Sequence, residues 1–136
     1  GLYSRFDNVL VRSGLNRPNV MGMVACEAAY RGGGPWVDAL VSYLNANYLF
    51  MRAFFEEKLP EVKVTSLEGT YLAWLDFNGL GLDLSELEQM LVRKARVAMT
   101  PGRIFGPGGD GFFRMNLACT RATMNTALAR IKGALG

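Results

Sequence analysis

The stretch that decides the expected fold is Phe112-Phe113-Arg114-Met115-Asn116-Leu117. Its side chains are apolar at every second position from Phe113, and a period of two puts successive side chains on opposite faces of a β-strand. One face is expected to be apolar (Phe113, Met115, Leu117), and the other to carry the polar Arg114 and Asn116 together with Phe112. The alternation therefore predicts a strand with one polar face.

Three helices are predicted ahead of the first strand. Leu2 to Arg12 has a weak helical pattern, and Pro18 suits the first turn of a second helix, which carries an apolar face (Val20, Val24, Ala28) and stops at Gly32-Gly33-Gly34. The third helix opens at Pro35 and ends before Pro60. Its apolar residues recur at near-helical spacing and are expected to form a core stripe (Trp36, Leu40, Leu44, Met51, Phe55).

The rest of the chain alternates short strands and helices. Strands are predicted at Val62–Thr65 and Tyr71–Phe77, followed by a helix that Asp83 caps and in which Glu86 completes a capping box. A short strand at Val97–Met99 and a glycine-rich loop from Pro101 to Gly111 come next. The strand described above and a final helix capped by Thr120 end the chain. This order predicts an α+β two-layer sandwich, in which helices cover a small, mostly antiparallel sheet.

Length and composition favour a single globular domain. The chain has 136 residues, of which 50% are hydrophobic and 20% charged, a balance that allows a buried core. Histidine is absent, which removes Ser-His-Asp triads, Cys-His dyads and histidine metal sites. Cys26 and Cys119 show no metal-type spacing, so we expect reduced structural thiols and no metal.

Neither a membrane nor a nucleic-acid partner is expected. No apolar run approaches the roughly 20 residues of a membrane span, and Gly1-Leu2-Tyr3-Ser4-Arg5 lacks the plan of a signal peptide, so we predict a cytoplasmic protein. The net charge is +3, with the basic residues scattered. An RNA-recognition strand would need a basic residue and an aromatic residue where Asp110 and Arg114 stand.

Two features exceed what folding alone requires. Arg114 lies mid-strand on the face opposite Phe113 and Met115, where a fixed guanidinium matches a carboxylate through two parallel hydrogen bonds. The alternative is an arginine that pairs with an acidic residue or is solvated.

The second feature is the loop from Thr100 to Gly111, which is rich in glycine. Glycine allows the backbone to approach an anion closely or the loop to close over a ligand. The alternative is a plain connection between strands.

Three segments together resemble a known family. In order and spacing, Glu68-Gly69-Thr70-Tyr71-Leu72-Ala73-Trp74-Leu75-Asp76, Thr100-Pro101-Gly102 with Phe105-Gly106, and Phe113-Arg114-Met115-Asn116-Leu117-Ala118-Cys119 resemble the MalY/PatB type of cystathionine β-lyase, within the fold-type I aminotransferase superfamily. The resemblance covers nearly the whole chain. It implies that residues 1–136 are the C-terminal small domain of an enzyme that uses pyridoxal 5'-phosphate, with residues 1–34 part of the connection to a missing large domain.

The resemblance also implies roles for single residues. In the family, the arginine of the Arg-x-Asn-x-Ala strand binds the α-carboxylate of the amino-acid substrate, which points to Arg114 with Asn116. Gly69 and Tyr71 would border the substrate pocket, and Gly102, Phe105 and Gly106 would belong to the loop at its mouth. The Schiff-base lysine follows a Ser-x-x-Lys or Ser-x-Ser-Lys pattern that this sequence lacks, so no catalytic residue is expected here and the chain alone is expected to be inactive.

The implied activity is that of a C–S β-lyase, which releases a thiol, pyruvate and ammonia from substrates such as cystathionine. The implied full-length enzyme is a homodimer. An aminotransferase of the same superfamily is the nearest alternative, because both activities use the same carboxylate-binding arginine. A non-catalytic α+β binding module is the alternative from another class, and the encoded residues that precede Gly1 would discriminate it.

Overall fold

The computed structural model describes residues 1–136, which form five α-helices and four short strands. The helices are α1 (Leu2–Arg12), α2 (Val20–Gly32), α3 (Gly34–Lys58), α4 (Leu84–Gln89) and α5 (Arg121–Leu135). The strands are β1 (Lys63–Val64), β2 (Leu72–Asp76), β3 (Thr100–Pro101) and β4 (Phe112–Asn116). None of the helices combines the length and the apolar composition that a membrane crossing requires.

The chain divides into two compact units, Gly1–Leu40 and Val41–Gly136. The first unit contains α1, α2 and the beginning of α3, and none of its side chains is buried. The predicted core stripe is therefore wrong at its start, because Trp36 is 67% exposed. The second helix also begins later than predicted, since Asn19, and not Pro18, sets its start by accepting a hydrogen bond from the Gly22 amide.

All four strands of the second unit pair antiparallel in the order β1-β2-β4-β3. In β4, Phe113, Met115 and Leu117 are buried, whereas Phe112, Arg114 and Asn116 are half-buried or exposed. The buried face packs in one cluster with residues of α3, α4 and α5 (Met51, Phe55, Leu87, Met124, Leu128 and Ile131). The predicted α+β class, with helices against a small antiparallel sheet, is confirmed.

The predicted strand at Val97–Met99 is wrong. After α4 the helix widens into a π-helical turn, Met90–Lys94, and Arg96 then adopts a left-handed conformation with φ of 54°. The Val97 amide donates to the Leu91 carbonyl, so the chain here turns back on the helix and is not free to pair in a sheet. Pairing begins only at Thr100, in a strand of two residues.

A buried asparagine joins α3 to the end of β4. Asn47 is fully buried, and its amide nitrogen donates to the carbonyls of Leu117 and Cys119, each at 3.0 Å. Its side-chain oxygen accepts a hydrogen bond from Arg121 Nε at 3.0 Å. Every polar atom of this buried amide thus has a partner, which is the condition for burying it without a large penalty.

Candidate functional site

Arg114 lies in the middle of the polar face of the sheet. It is directly opposite Trp74 of β2 on one side and Thr100 of β3 on the other. Residues directly opposite in neighbouring strands point to the same face, so the Arg114 side chain is flanked by an indole and a hydroxyl. The position in a central strand restricts its backbone, which leaves only the side chain to be oriented.

An aromatic cluster lies against that side chain. The guanidinium carbon of Arg114 is 4.8 Å from the centre of the Phe105 ring, within the range of a cation–π contact. Phe105 meets Trp74 edge-on at 5.6 Å, and Trp74 stacks on Phe112 at 5.7 Å with an angle of 17° between the rings. Three rings and one cation therefore form a continuous group on the open face of the sheet.

The guanidinium of Arg114 has unused hydrogen-bond donors. Its side chain forms no ion pair, in contrast to that of Arg103, which pairs with Glu88. No buried side-chain nitrogen or oxygen lacks a partner, so the half-buried guanidinium exposes its nitrogens to solvent. A planar group with free parallel donors can bind a carboxylate through two hydrogen bonds. Of the two alternatives left open by the sequence, pairing with an acidic residue does not occur within residues 1–136.

Asn116 lies two residues from Arg114 on the same face. Its side-chain oxygen accepts a hydrogen bond from the Ala118 amide at 2.7 Å, which bends the chain at the end of β4. The exposed side-chain amide nitrogen has no protein partner and can donate to a ligand.

The predicted loop residues have different surroundings. Gly102 is buried, and a Cβ there would overlap the carbonyl oxygen of Gly109, so this glycine is required for loop packing. Gly106 has a φ of 121°, which side chains rarely adopt, and it ends the 3-10 turn Gly102–Phe105. Phe105 is 52% exposed and is the loop residue in contact with Arg114.

Gly69 and Tyr71 precede β2, which begins at Leu72. Gly69 and Thr70 line a groove of about 340 Å³ together with Val41, Leu44 and Asn45 of α3. The Tyr71 carbonyl accepts a hydrogen bond from the Leu117 amide, and its side chain is 46% exposed. The structure therefore brings Arg114 and Phe105 together, and it places Gly69 in a separate groove.

The sequence reasoning missed one residue of the Arg114 group and one buried residue that holds the end of β4. Trp74 stood inside the quoted segment without a role, although its alternation with Ala73 and Leu75 could have assigned it to the face of Arg114. Asn47 was also missed. An amide on the apolar side of α3, between Leu44 and Met51, is the signal that could have identified it, because a buried amide needs partners.

The residues of this chain do not form a complete cofactor site. Lys58, Lys63, Lys94 and Lys132 all have exposed side chains, and Lys58 pairs with Glu57. None of them is part of the Arg114 group, so the chain presents no lysine placed for a Schiff base with pyridoxal phosphate. No three acidic, cysteine or histidine side chains come together to bind a metal ion.

Comparison with known proteins supports the family prediction. The family model for aminotransferase class I and II matches residues 10–131. The chain is 43% identical to cystathionine β-lyase PatB of Bacillus subtilis over 132 residues, which is 97% of this chain and 34% of the relative. It is 36% identical to the protein MalY of Escherichia coli, over 91% of this chain and 32% of that protein.

A solved structure supports the same conclusion. Cystalysin from Treponema denticola, which contains pyridoxal 5'-phosphate, superposes with a TM-score of 0.82 at 38% identity, over 86% of this chain and 30% of that one. The cofactor predicted from the sequence is the one in this relative. The chain spans about a third of the length of the relatives it matches. It belongs to the class I and II aminotransferase family, and it matches the MalY/PatB type of cystathionine β-lyase within it.

Proposed function

We propose that this chain is the small, C-terminal domain of a pyridoxal-phosphate C–S β-lyase and that Arg114 binds the α-carboxylate of its amino-acid substrate. The observation that carries the proposal is the half-buried guanidinium whose donors have no protein partner. A planar donor pair of this kind fits a carboxylate through two parallel hydrogen bonds. Residues 1–34 would connect to the large domain, which would supply the Schiff-base lysine.

In this proposal, the chain contributes binding and orientation. Arg114 would fix the carboxylate, and the free amide of Asn116 would donate a further hydrogen bond from the same face. Bound pyridoxal phosphate would supply the electron sink for the bond-breaking step. Holding the carboxylate at a fixed point restricts the rotation of the substrate. Such orientation can account for a large part of the rate enhancement of an enzyme.

The identity of the relatives supports a lyase. PatB of Bacillus subtilis is a cystathionine β-lyase, so we propose cystathionine or a related thioether amino acid as substrate, with a thiol, pyruvate and ammonia as products. We also propose a cytoplasmic homodimer. Release of pyruvate from cystathionine by the full-length enzyme supports the lyase, whereas transfer of the amino group to an added keto acid without pyruvate release supports the aminotransferase alternative.

The Arg114→Lys variant of the full-length enzyme tests the binding role. Lysine keeps the charge but loses the planar pair of donors, so we expect a loss of about 1.5–3 kcal/mol in transition-state binding, or roughly 10- to 100-fold in kcat/KM for cystathionine. The unfolding temperature is expected to change little. Unchanged kcat/KM would contradict the proposal.

A further inference from the structure

We propose that Phe105 is a positioning residue for the Arg114 guanidinium, an inference that rests on the carboxylate role proposed above. The Phe105 ring centre is 4.8 Å from the guanidinium carbon. Arg114 forms no ion pair, so the Phe105 ring is the neighbour that can restrict its guanidinium.

An aromatic ring suits this task better than an acidic residue. A cation–π contact in which the guanidinium stacks on the ring leaves the N–H groups free at the edges of the guanidinium, and the proposal takes the Arg114–Phe105 contact to be of this kind. A carboxylate partner would occupy those N–H groups, as Glu88 occupies the guanidinium of Arg103, where Nη2 donates to Oε2 at 2.9 Å. Phe105 can therefore hold Arg114 without competing for the donors that a ligand needs.

Phe105 is itself held by its neighbours. Its ring rests edge-on against Trp74, which is the cross-strand partner of Arg114 in the sheet. The turn that carries it is fixed by the close approach of Gly102 to Gly109 and by the Arg103–Glu88 ion pair. The ring thus has a defined position even though half of its surface is exposed.

The expected consequence is a preorganised guanidinium. Without the ring, the long arginine side chain would sample other rotamers and would pay for their loss when a carboxylate binds. The contact is present without a substrate, and in this proposal it is the same in the substrate complex and in the transition state. Its loss should therefore weaken binding and leave the chemical step unchanged. In kinetic terms, KM should rise while kcat stays nearly constant.

Two variants of the full-length enzyme separate the ring face from the volume of the side chain. Phe105→Leu keeps an apolar side chain but removes the π face, and Phe105→Tyr keeps the ring. The probe is 3-(methylthio)propionate, a thioether carboxylate without an amino group, with 3-(methylthio)propionamide as the uncharged control. Calorimetry gives the Kd of each probe, and steady-state kinetics with cystathionine gives KM and kcat.

We expect Phe105→Leu to weaken binding of the carboxylate and raise KM by about three- to tenfold, as for a partly exposed cation–π contact. Binding of the amide and kcat should stay within about twofold. Phe105→Tyr should restore the parent values. Equal losses in the leucine and tyrosine variants would overturn the inference, because the ring face would then not be responsible.

Arg114→Lys, measured beside them, separates the two proposals. If it weakens carboxylate binding and Phe105→Leu equals the parent, the positioning role of Phe105 is overturned while the role of Arg114 stands. If Arg114→Lys leaves carboxylate binding unchanged, the role of Arg114 fails, and the positioning role fails with it.

Discussion

Two arginines of the second unit rest on phenylalanine rings but differ in what their donors contact. The guanidinium carbon of Arg121 is 4.3 Å from the Phe50 ring centre, and its Nε donates to the buried Asn47. The guanidinium carbon of Arg114 is 4.8 Å from the Phe105 ring centre, and its side chain has no ion pair. The first arginine is tied into the hydrogen bonds of the core, and the second has free donors on an open face.

An arginine that lies over an aromatic ring therefore does not by itself mark a binding site. The two arginines differ in one donor, because Arg121 donates its Nε–H to the buried Asn47 and so stabilises the fold, whereas Arg114 donates no side-chain N–H to the protein and can bind an anion. Substitutions at Arg121 and its partners should therefore change stability, and substitutions at Arg114 should change affinity. Each prediction below tests one side of that division.

The largest effect on stability is expected for Asn47→Ala. It removes the hydrogen bonds of Asn47 to the carbonyls of Leu117 and Cys119 and to the Nε of Arg121. The Leu117 carbonyl keeps its bond from the Cys119 amide, whereas the Cys119 carbonyl and the Arg121 Nε lose their partner, and unpaired groups in the interior are costly. We expect the free energy of unfolding to fall by about 3 kcal/mol. Urea denaturation measures this free energy of unfolding. Asn45→Ala, an exposed position on the same helix, serves as the control and should shift the value by less than about 0.5 kcal/mol.

A smaller loss of stability is expected for Arg121→Lys. Lysine can keep a positive charge near Phe50 but has no Nε–H to donate to the Asn47 oxygen, so we expect a loss of about 1–2 kcal/mol. Arg130→Lys, an exposed position on the same helix, should be nearly silent in the same denaturation experiment. A silent Arg121→Lys would show that the hydrogen bond to Asn47 contributes nothing.

The smallest effect is expected for Glu88→Gln, which breaks the ion pair that fixes the turn of Phe105. Arg103 is half exposed in this pair, so solvent screens the interaction and the loss should be about 0.2–1 kcal/mol. Added salt should reduce the difference between parent and variant, which thermal unfolding at low and high salt would reveal. A difference that does not depend on salt would argue against an electrostatic contribution.

The sequence predicted most reliably where local periodicity determines structure. The alternation through β4 assigned Phe113 and Met115 to the core and Arg114 to the open face, and both assignments are confirmed. The cap at Thr120 was also predicted correctly, since its hydroxyl accepts a hydrogen bond from the Thr123 amide. These features depend on a few adjacent residues, which is why one sequence suffices to predict them.

Features that depend on contacts between residues far apart in the sequence could not be predicted from hydrophobic periodicity. A helical spacing predicts that Trp36 and Met51 share a face, but it does not reveal that Trp36 remains exposed while Met51 is buried. The π-helical turn Met90–Lys94, after which β3 begins at Thr100 and not at Val97, produces no periodic pattern in the sequence. The contact of Phe105 with Arg114 depends on a loop conformation set by Gly102 and Gly109, which the order of residues alone does not specify.

The most direct test of the account measures carboxylate binding and stability together in two variants, Arg114→Lys and Arg121→Lys, of the full-length enzyme. Calorimetry with 3-(methylthio)propionate gives the affinity, and urea denaturation of the same samples gives the free energy of unfolding. We predict that Arg114→Lys weakens binding by about 10- to 100-fold with little change in stability. Arg121→Lys should lower the free energy of unfolding by about 1–2 kcal/mol and leave the affinity for the carboxylate nearly unchanged. Equal affinity in both variants, or a loss of stability confined to Arg114→Lys, would contradict the assignment of Arg114 as the carboxylate-binding residue.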